Sequence, residues 1–440
     1  MRLGFRKVAV AAAAFALVGV ACGKSGTSSS SSSSGGTANL KGQKVNVVAV
    51  WGGSEQTNFM KVLTAFQQKT GASVTFTSAG SADLTTFIGT KIQGGAPPDV
   101  AMLPNPGLLQ DFASKGQLKP IDDIAGSLVD QYFAPAWRQF GSYQGKLYGV
   151  FFKGANKSTV WYNTHVFDQA GVAPPMAWPD FLTTASTISD AGFTPLSIDG
   201  GSGWPLTDWF ENVYIRTAGV DMYDKLTQHQ IPWTDPSVKT ALQTLAQVFN
   251  HPNWFLGGVN GTLQGTFPAN ADKLGANPPK LGMYYEGDFL GGIISSDAGA
   301  KVGTDINFFD FPSINNSPPA VVGGGDAAVL FTNNPAAKEL IKYLASPQAP
   351  IPWIEAGGFS SPNKAVNSAD YPDDVTRRSA TALANASVFR FDMSDLAPAA
   401  FGGTTGQGEF KAFQDFFKSP SNISGVTSYL ESQAKSAYGK

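Results

Sequence analysis

Between residues 44 and 103 the chain switches repeatedly between apolar runs and amphipathic stretches, and no other feature restricts its possible folds so tightly. "KVNVVAV" (44–50) has the continuous apolar character of a strand buried on both faces. "TNFMKVLTAFQQKTG" follows, with Phe59, Val62, Leu63 and Phe66 at helical spacing and Gly71 placed to end the helix. "ASVTFTS" predicts a second strand, "ADLTTFIGTKIQGG" a second amphipathic helix closed by Gly94 and Gly95, and "PPDVAML" a third strand. Alternation of this kind implies an α/β protein with an open, mostly parallel sheet. Ligands of such sheets bind beyond the carboxyl ends of the strands. Those ends run here into "WGGSE" (51–55), "AGS" (79–81) and "PNPG" (104–107).

Further along, "GKLYGVFFKGANKSTVWYNTHVFDQAG" (145–171) reads as strand, short loop, strand and turn. "PSVKTALQTLAQVFN" and "NPAAKELIKYLAS" predict two more helices, each begun by a proline in its first turn. The part of the chain from residue 43 onward, about 400 residues, is too long for a single core, so two domains are expected. Charge nearly balances, with 31 basic against 33 acidic residues, which argues against a nucleic-acid partner, since that needs a strong basic excess. Charged residues make up only 15% while aromatics reach 12%, with nine Trp and 31 Phe. Such a surface suits a neutral, flat-faced ligand.

The start of the chain carries a different signal. Arg2, Arg6 and Lys7 precede an apolar stretch from residue 8 to 20, shorter than the ~20 residues that span a bilayer. This reads as a secretory signal peptide over residues 1–21. It resembles a bacterial lipoprotein signal: Val20 and Ala21 fit the pattern, Gly19 departs from it, and Cys22 would be the lipidated first residue of the mature chain. Cys22 is the sole cysteine, so no disulfide framework competes with that role. Residues 22–43, with a run of seven serines, read as a flexible tether. The expected location is extracytoplasmic, on the outer face of the cell membrane.

The order "KTGASVTF", "GGAPPDVAML", "LYGVFFKGANKSTVWYN", "SGWPLTDWFENVYIR", "GGFSSPNKAV" and "FRFDMSDLAPAAFG" resembles the solute-binding proteins of ABC sugar importers. More narrowly it is similar to their alpha-glucoside-binding branch, related to maltose-binding proteins. The resemblance implies a two-lobe periplasmic-binding-protein-like fold of type II, each lobe a mostly parallel sheet flanked by helices. It places the N-terminal lobe at 44–151 and 307–354, and the C-terminal lobe at 152–306 and 355–440. "YGVFF" and "INFFDFP" would be the hinge strands. A sugar in the interlobe cleft would favour the closed state, which membrane permease subunits would recognise.

Sugar rings offer apolar faces to aromatic side chains, and their hydroxyls need fixed polar partners. On that chemistry the resemblance implies a site drawn from Trp51, Ser54, Glu55, Ser81, Asn105, Asn156, Trp204, Asp208, Glu286, Phe289, Gly325, Asp326, Arg390, Asp395 and Phe401. Bland readings stand beside several of these. Ser54 suits a helix N-cap, "NPG" a plain turn, and "GGGD" a strand-end turn. Arg390 with Asp392 suits a structural ion pair. Lys153 and Lys157 read as solvated charges, and Trp209 as core. Phe289 stands where maltose-binding relatives carry a stacking Trp, which argues against a site of maltodextrin size.

A neutral disaccharide or glucosylated polyol is therefore the expected ligand, with a monomeric protein and no cofactor or metal. A secreted glycoside hydrolase is the alternative, since Glu55 could face Asp326 or Asp395 across a glycosidic bond. A binder of some non-sugar solute is another, although a phosphorylated one would call for clustered Arg or Lys. No G-x-S-x-G elbow occurs, and His165, His229 and His251 are scattered. "GGTTGQG" (402–408) lacks the strand that a dinucleotide fingerprint requires.

Overall fold

The computed structural model describes residues 39–80 and 84–439. The proposed signal peptide, Cys22, the serine run and Ser81 lie outside the described residues.

The predicted rhythm is present. Strand β1 (Lys44–Ala49) leads into helix α1 (Gly53–Thr70), β2 (Ser73–Ser78), α2 (Leu84–Gln93), β3 (Val100–Leu103) and α3 (Pro106–Ser114). Phe59, Val62, Leu63 and Phe66 of α1 are buried, and Gly71 ends it at φ 79°, a left-handed conformation in which its N–H reaches Gln67 O. A short hairpin, β4 (Ser142–Tyr143) and β5 (Lys146–Leu147), precedes the long strand β6 (Gly149–Asn156). The chain then builds β7 (Thr159–Asn163), β8 (Thr194–Ser197), α4 (Trp204–Ala218), α5 (Pro236–Phe249), β9 (Leu281–Tyr285), α6 (Leu290–Ala298) and β10 (Ile306–Asp310). It closes with β11 (Val321–Leu330), α7 (Pro335–Leu344), β12 (Phe389–Phe391), α8 (Met393–Leu396) and α9 (Gly408–Lys418) among its last elements.

Two main sheets result. The first runs β12-β11-β3-β1-β2, with β6 also paired to β11. The second runs β10-β7-β9-β8. In the first, β1 pairs in parallel with β2 and β3, as the alternation requires. The second is mostly antiparallel, because β7 pairs antiparallel with both β9 and β10 and only β8–β9 is parallel. That departs from the expectation of mostly parallel sheets in both lobes. One strand accounts for it: β8, β9 and β10 share a direction, and β7, inserted between β9 and β10, opposes it.

Each sheet has its own core. Val47, Phe59, Phe66, Met102, Leu330 and Trp353 belong to the first. Val160, Trp209, Met283 and Phe416 pack in a second cluster, and Trp161, Tyr284, Leu290 and Phe308 in a third. The expected boundaries shift in three places. Leu40 packs on the first core and its N–H donates to Thr70 O at 2.8 Å, so the end of the expected tether belongs to the folded body. β10 pairs along its length with β7, so residue 307 falls inside the second sheet and the return to the first comes only after Asp310. Phe359, Tyr371, Ala380 and Phe391 join the first core, although residues 355–440 were expected in the other lobe.

Candidate functional site

A cavity of about 710 Å³ opens between the two sheets, at the carboxyl ends of β1 and β3, where the topology places a ligand site. From the β1–α1 turn come Trp51, Ser54 and Glu55, and from the turn after β3 comes Asn105. The crossing strand β6 and the residue beyond it supply Lys153, Ala155 and Lys157, and β11 supplies Gly325 and Asp326. Trp204 opens α4, Phe289 precedes α6, and Asp297 stands near the end of α6. Phe267, Asp272, Asp395, Thr405 and Phe410 also line the wall.

Three rings form an aromatic surface. Trp204 and Phe267 have centroids 5.0 Å apart, Phe267 and Phe289 5.6 Å, and Trp204 and Phe289 6.4 Å, all edge to face. Trp51 contributes less than its size suggests. It is 3% exposed, with its ring edge-on to Phe59 and Trp353, both at 4.8 Å.

Opposing charges organise the rest. Lys153 is buried, bonded to Glu55, and its Nζ lies 4.9–5.7 Å from the ring centroids of Trp353, Phe289 and Trp51. Lys157 Nζ bonds Asp392, reaches Asp208 at 3.2 Å and Asp395 at 3.7 Å, and stands 5.1 Å from the Trp204 ring. Both were expected as solvated charges. They are buried cations instead, each held by carboxylates, as burial of an ammonium demands. Burial would lower the Lys157 pKa, but Asp208, Asp392, Asp395 and Glu286 together raise it well above the ordinary value. Asp395 also accepts a bond from Asn105 Nδ2. Burial pushes the Asp326 carboxyl up to about 6, against the pull of Lys153.

Of the expected residues, Trp51, Ser54, Glu55, Asn105, Trp204, Phe289, Gly325, Asp326 and Asp395 share this cavity. Others stand outside its wall. Asn156 is buried, with its Oδ1 accepting from Ser158 N–H at 3.0 Å. Asp208 and Glu286 are fully buried in the layer beneath, where Asp208 holds Lys157. Arg390 forms a two-pronged pair with Asp224, a structural role with a different partner from the Asp392 expected. Phe401 packs on Trp233 and Tyr438 in the second core, 1% exposed. Trp209 is core, as read.

Sequence reasoning missed Phe267, Asp272, Asp297, Thr405 and Phe410. "GGTTGQG" contributes through Gly403 and Thr405 and leads into α9. The carboxylates of Asp208, Glu211 and Asp392 converge within 4.8 Å, a spacing that could hold a metal ion. Lys157 already sits on two of them, and the N–H groups of Met393 and Ser394 donate to Glu211.

A two-lobe α/β body with a cleft of this size, lined by rings and carboxylates, defines a class: a protein that encloses a small polar molecule. The chain belongs to the bacterial extracellular solute-binding protein family, which it matches over residues 52–349. It is 32% identical over 378 residues to the alpha-glucosides-binding periplasmic protein AglE of Rhizobium meliloti (strain 1021), covering 83% of this chain and 82% of that one. To the osmoprotective compounds-binding protein GgtB of Synechocystis sp. it is 31% identical over 370 residues, covering 82% and 86%. The bacterial solute receptor AcbH, described as exclusively preferring b-D-galactopyranose, superimposes with a TM-score of 0.78 at 22% identity. That match covers 90% of this chain and 99% of the other, which establishes the two-lobe fold. Among the described residues no helix is long and apolar enough to cross a membrane.

Proposed function

We propose that this protein is the substrate-binding component of an ABC sugar importer, capturing an alpha-glucoside or small neutral oligosaccharide by closure of its two lobes. The observation that carries the reading is the cavity itself: the Trp204, Phe267 and Phe289 rings beside Glu55, Asn105, Asp326 and Asp395. Rings cover the C–H faces of a pyranose while the carboxylates and the amide take its hydroxyls. The names of the two relatives, one for alpha-glucosides and one for osmoprotective compounds, support a neutral polyhydroxyl ligand. A cavity of about 710 Å³ has room for a disaccharide or a glucosylated polyol. The protein then acts as a monomeric, non-catalytic receptor, held outside the cell through lipid on Cys22, and hands its sugar to permease subunits.

A thermal-shift screen against maltose, trehalose, sucrose, galactose and glucosylglycerol, with amino acids and phosphate as controls, tests this. A ligand at 100 times its Kd stabilises the native state by about 2.7 kcal/mol, which shifts the Tm by several degrees. A response to amino acids or phosphate alone would falsify the sugar reading. Release of free glucose from maltose would replace it with the hydrolase.

A further inference from the structure

We propose that Lys153 is a positioning residue of the binding site, holding the Glu55 carboxylate against the cavity from inside a box of three aromatic rings. The proposal rests on the sugar-binding reading above and names the group that makes the wall specific.

Lys153 sits on the crossing strand, 3% exposed, with Trp51 and Trp353 of the first core and Phe289 of the third around its ammonium. Glu55 lies in the first turn of α1, its side chain 18% exposed and on the cavity wall. Their bond joins the crossing strand to the α1 N-terminus over 98 residues of sequence. A carboxylate that receives sugar hydroxyls discriminates only if it is immobile, because a group that must be ordered on binding costs affinity. Lys153 supplies that immobility. It also faces Asp326 directly across the β6–β11 pair, and its charge draws the Asp326 carboxyl downward against burial. One ammonium thus governs two of the acceptors on the wall. Replacing a whole buried ion pair by packing is often neutral, whereas removing one partner leaves the other charge unpaired; Glu55, on the cavity wall, then meets solvent.

Lys153→Met removes one partner and fills the box without charge. Titration of the wild-type protein with maltose, trehalose and sucrose first selects the tightest of the three as probe. The Met variant should keep its Tm within a few degrees and lose about 10- to 100-fold in affinity, the range set by a hydrogen bond to a charged group. Lys153→Arg, which keeps charge and donors, should recover part of the loss. Glu55→Gln, with Lys153 intact, should lose affinity to a similar extent. Unchanged affinity in the Met variant overturns the proposal, as does a Met variant that fails to fold while Glu55→Gln binds normally. If none of the three sugars binds the wild-type protein, the proposal falls together with the sugar reading.

Discussion

Around Lys157 the charges do not pair off one to one: a single ammonium faces Asp208, Asp392 and Glu286, fully buried beneath the cavity, and Asp395 on its wall. The layer divides its protons unequally. Burial works to raise the Asp392 carboxyl, but Lys157 and hydrogen bonds from Asp208 and Glu211 hold it below the ordinary carboxylate range. Burial pushes Glu286 up to about 8, with Lys157 and the Gly287 N–H opposing and Asp392 reinforcing. The unfolded chain gives up the Glu286 proton near 4.5, whereas the folded protein keeps it to about 8. Between those values the native state binds more protons, so this residue makes stability fall as pH rises. Glu286→Gln, which has the shape of the protonated acid, should flatten that fall. Melting curves between pH 5 and 8.5 should show a smaller Tm loss in the variant and a higher Tm than wild type at pH 8. Equal slopes would remove Glu286 from the account.

The strand pair β6–β11 shows how an element aims these residues. Its register runs from Gly323 opposite Asn156 to Asp326 opposite Lys153, then shifts so that Ala327 meets Phe151. Phe152 is the extra residue of a bulge on β6; on β11 the Asp326 side chain and the Gly325 backbone both line the cavity. Alternation along the strand is kept: Asp326 faces the cavity, and a side chain at Gly325 would face the core around Phe151 and Trp137. The glycines allow the close approach: a Cβ at Gly325 would lie 2.7 Å from Lys153 O and 3.1 Å from Phe151 and Trp137. Gly325→Ala should therefore cost about 1–3 kcal/mol, the usual range for overpacking. Urea unfolding of the ligand-free protein measures it, and a loss below about 0.5 kcal/mol, the scale of ordinary surface changes, would show that the bulge yields. Elements of this kind were legible when their signal was local. β1, α1 and Gly71 announce themselves by periodicity and a left-handed cap, and they fixed where Trp51 and Glu55 would stand. The antiparallel second sheet was not legible, because strand direction depends on the connection and not on the apolar pattern. Nor were the roles of Lys153 and Lys157. "FFKGANK" shows two lysines, but their partners Glu55 and Asp392 lie 98 and 235 residues away.

Across the whole molecule, the cavity is walled by parts that belong to different cores, so binding and lobe position are tied. On one flank the start of α3 meets the end of α8. Asn105 donates to Asp395, and a Cβ at Gly107 would come within 2.0 Å of Ala397 O. Leu108 and Leu109 pack in the first core while Met393 and Ala397 pack in the second. Leu396 and Ala399, on either side of Ala397, also pack against the first core, so the α3 backbone meets a segment shared by both cores. If the hinge opens, this contact is made on closing and lost on opening, and Gly107 is the residue that permits it. Gly107 is not part of the cavity wall, which separates closure from ligand contact. If the contact parts when the hinge opens, Gly107→Ala should leave the ligand-free Tm within about 2 °C of wild type. The same variant should bind the cognate sugar more weakly. Its radius of gyration by small-angle scattering should change little on adding sugar, whereas that of the wild-type protein should fall. A drop of several degrees in the ligand-free variant would instead make the contact permanent packing between bodies that do not part, and closure would have to be sought on the α1–α6 flank.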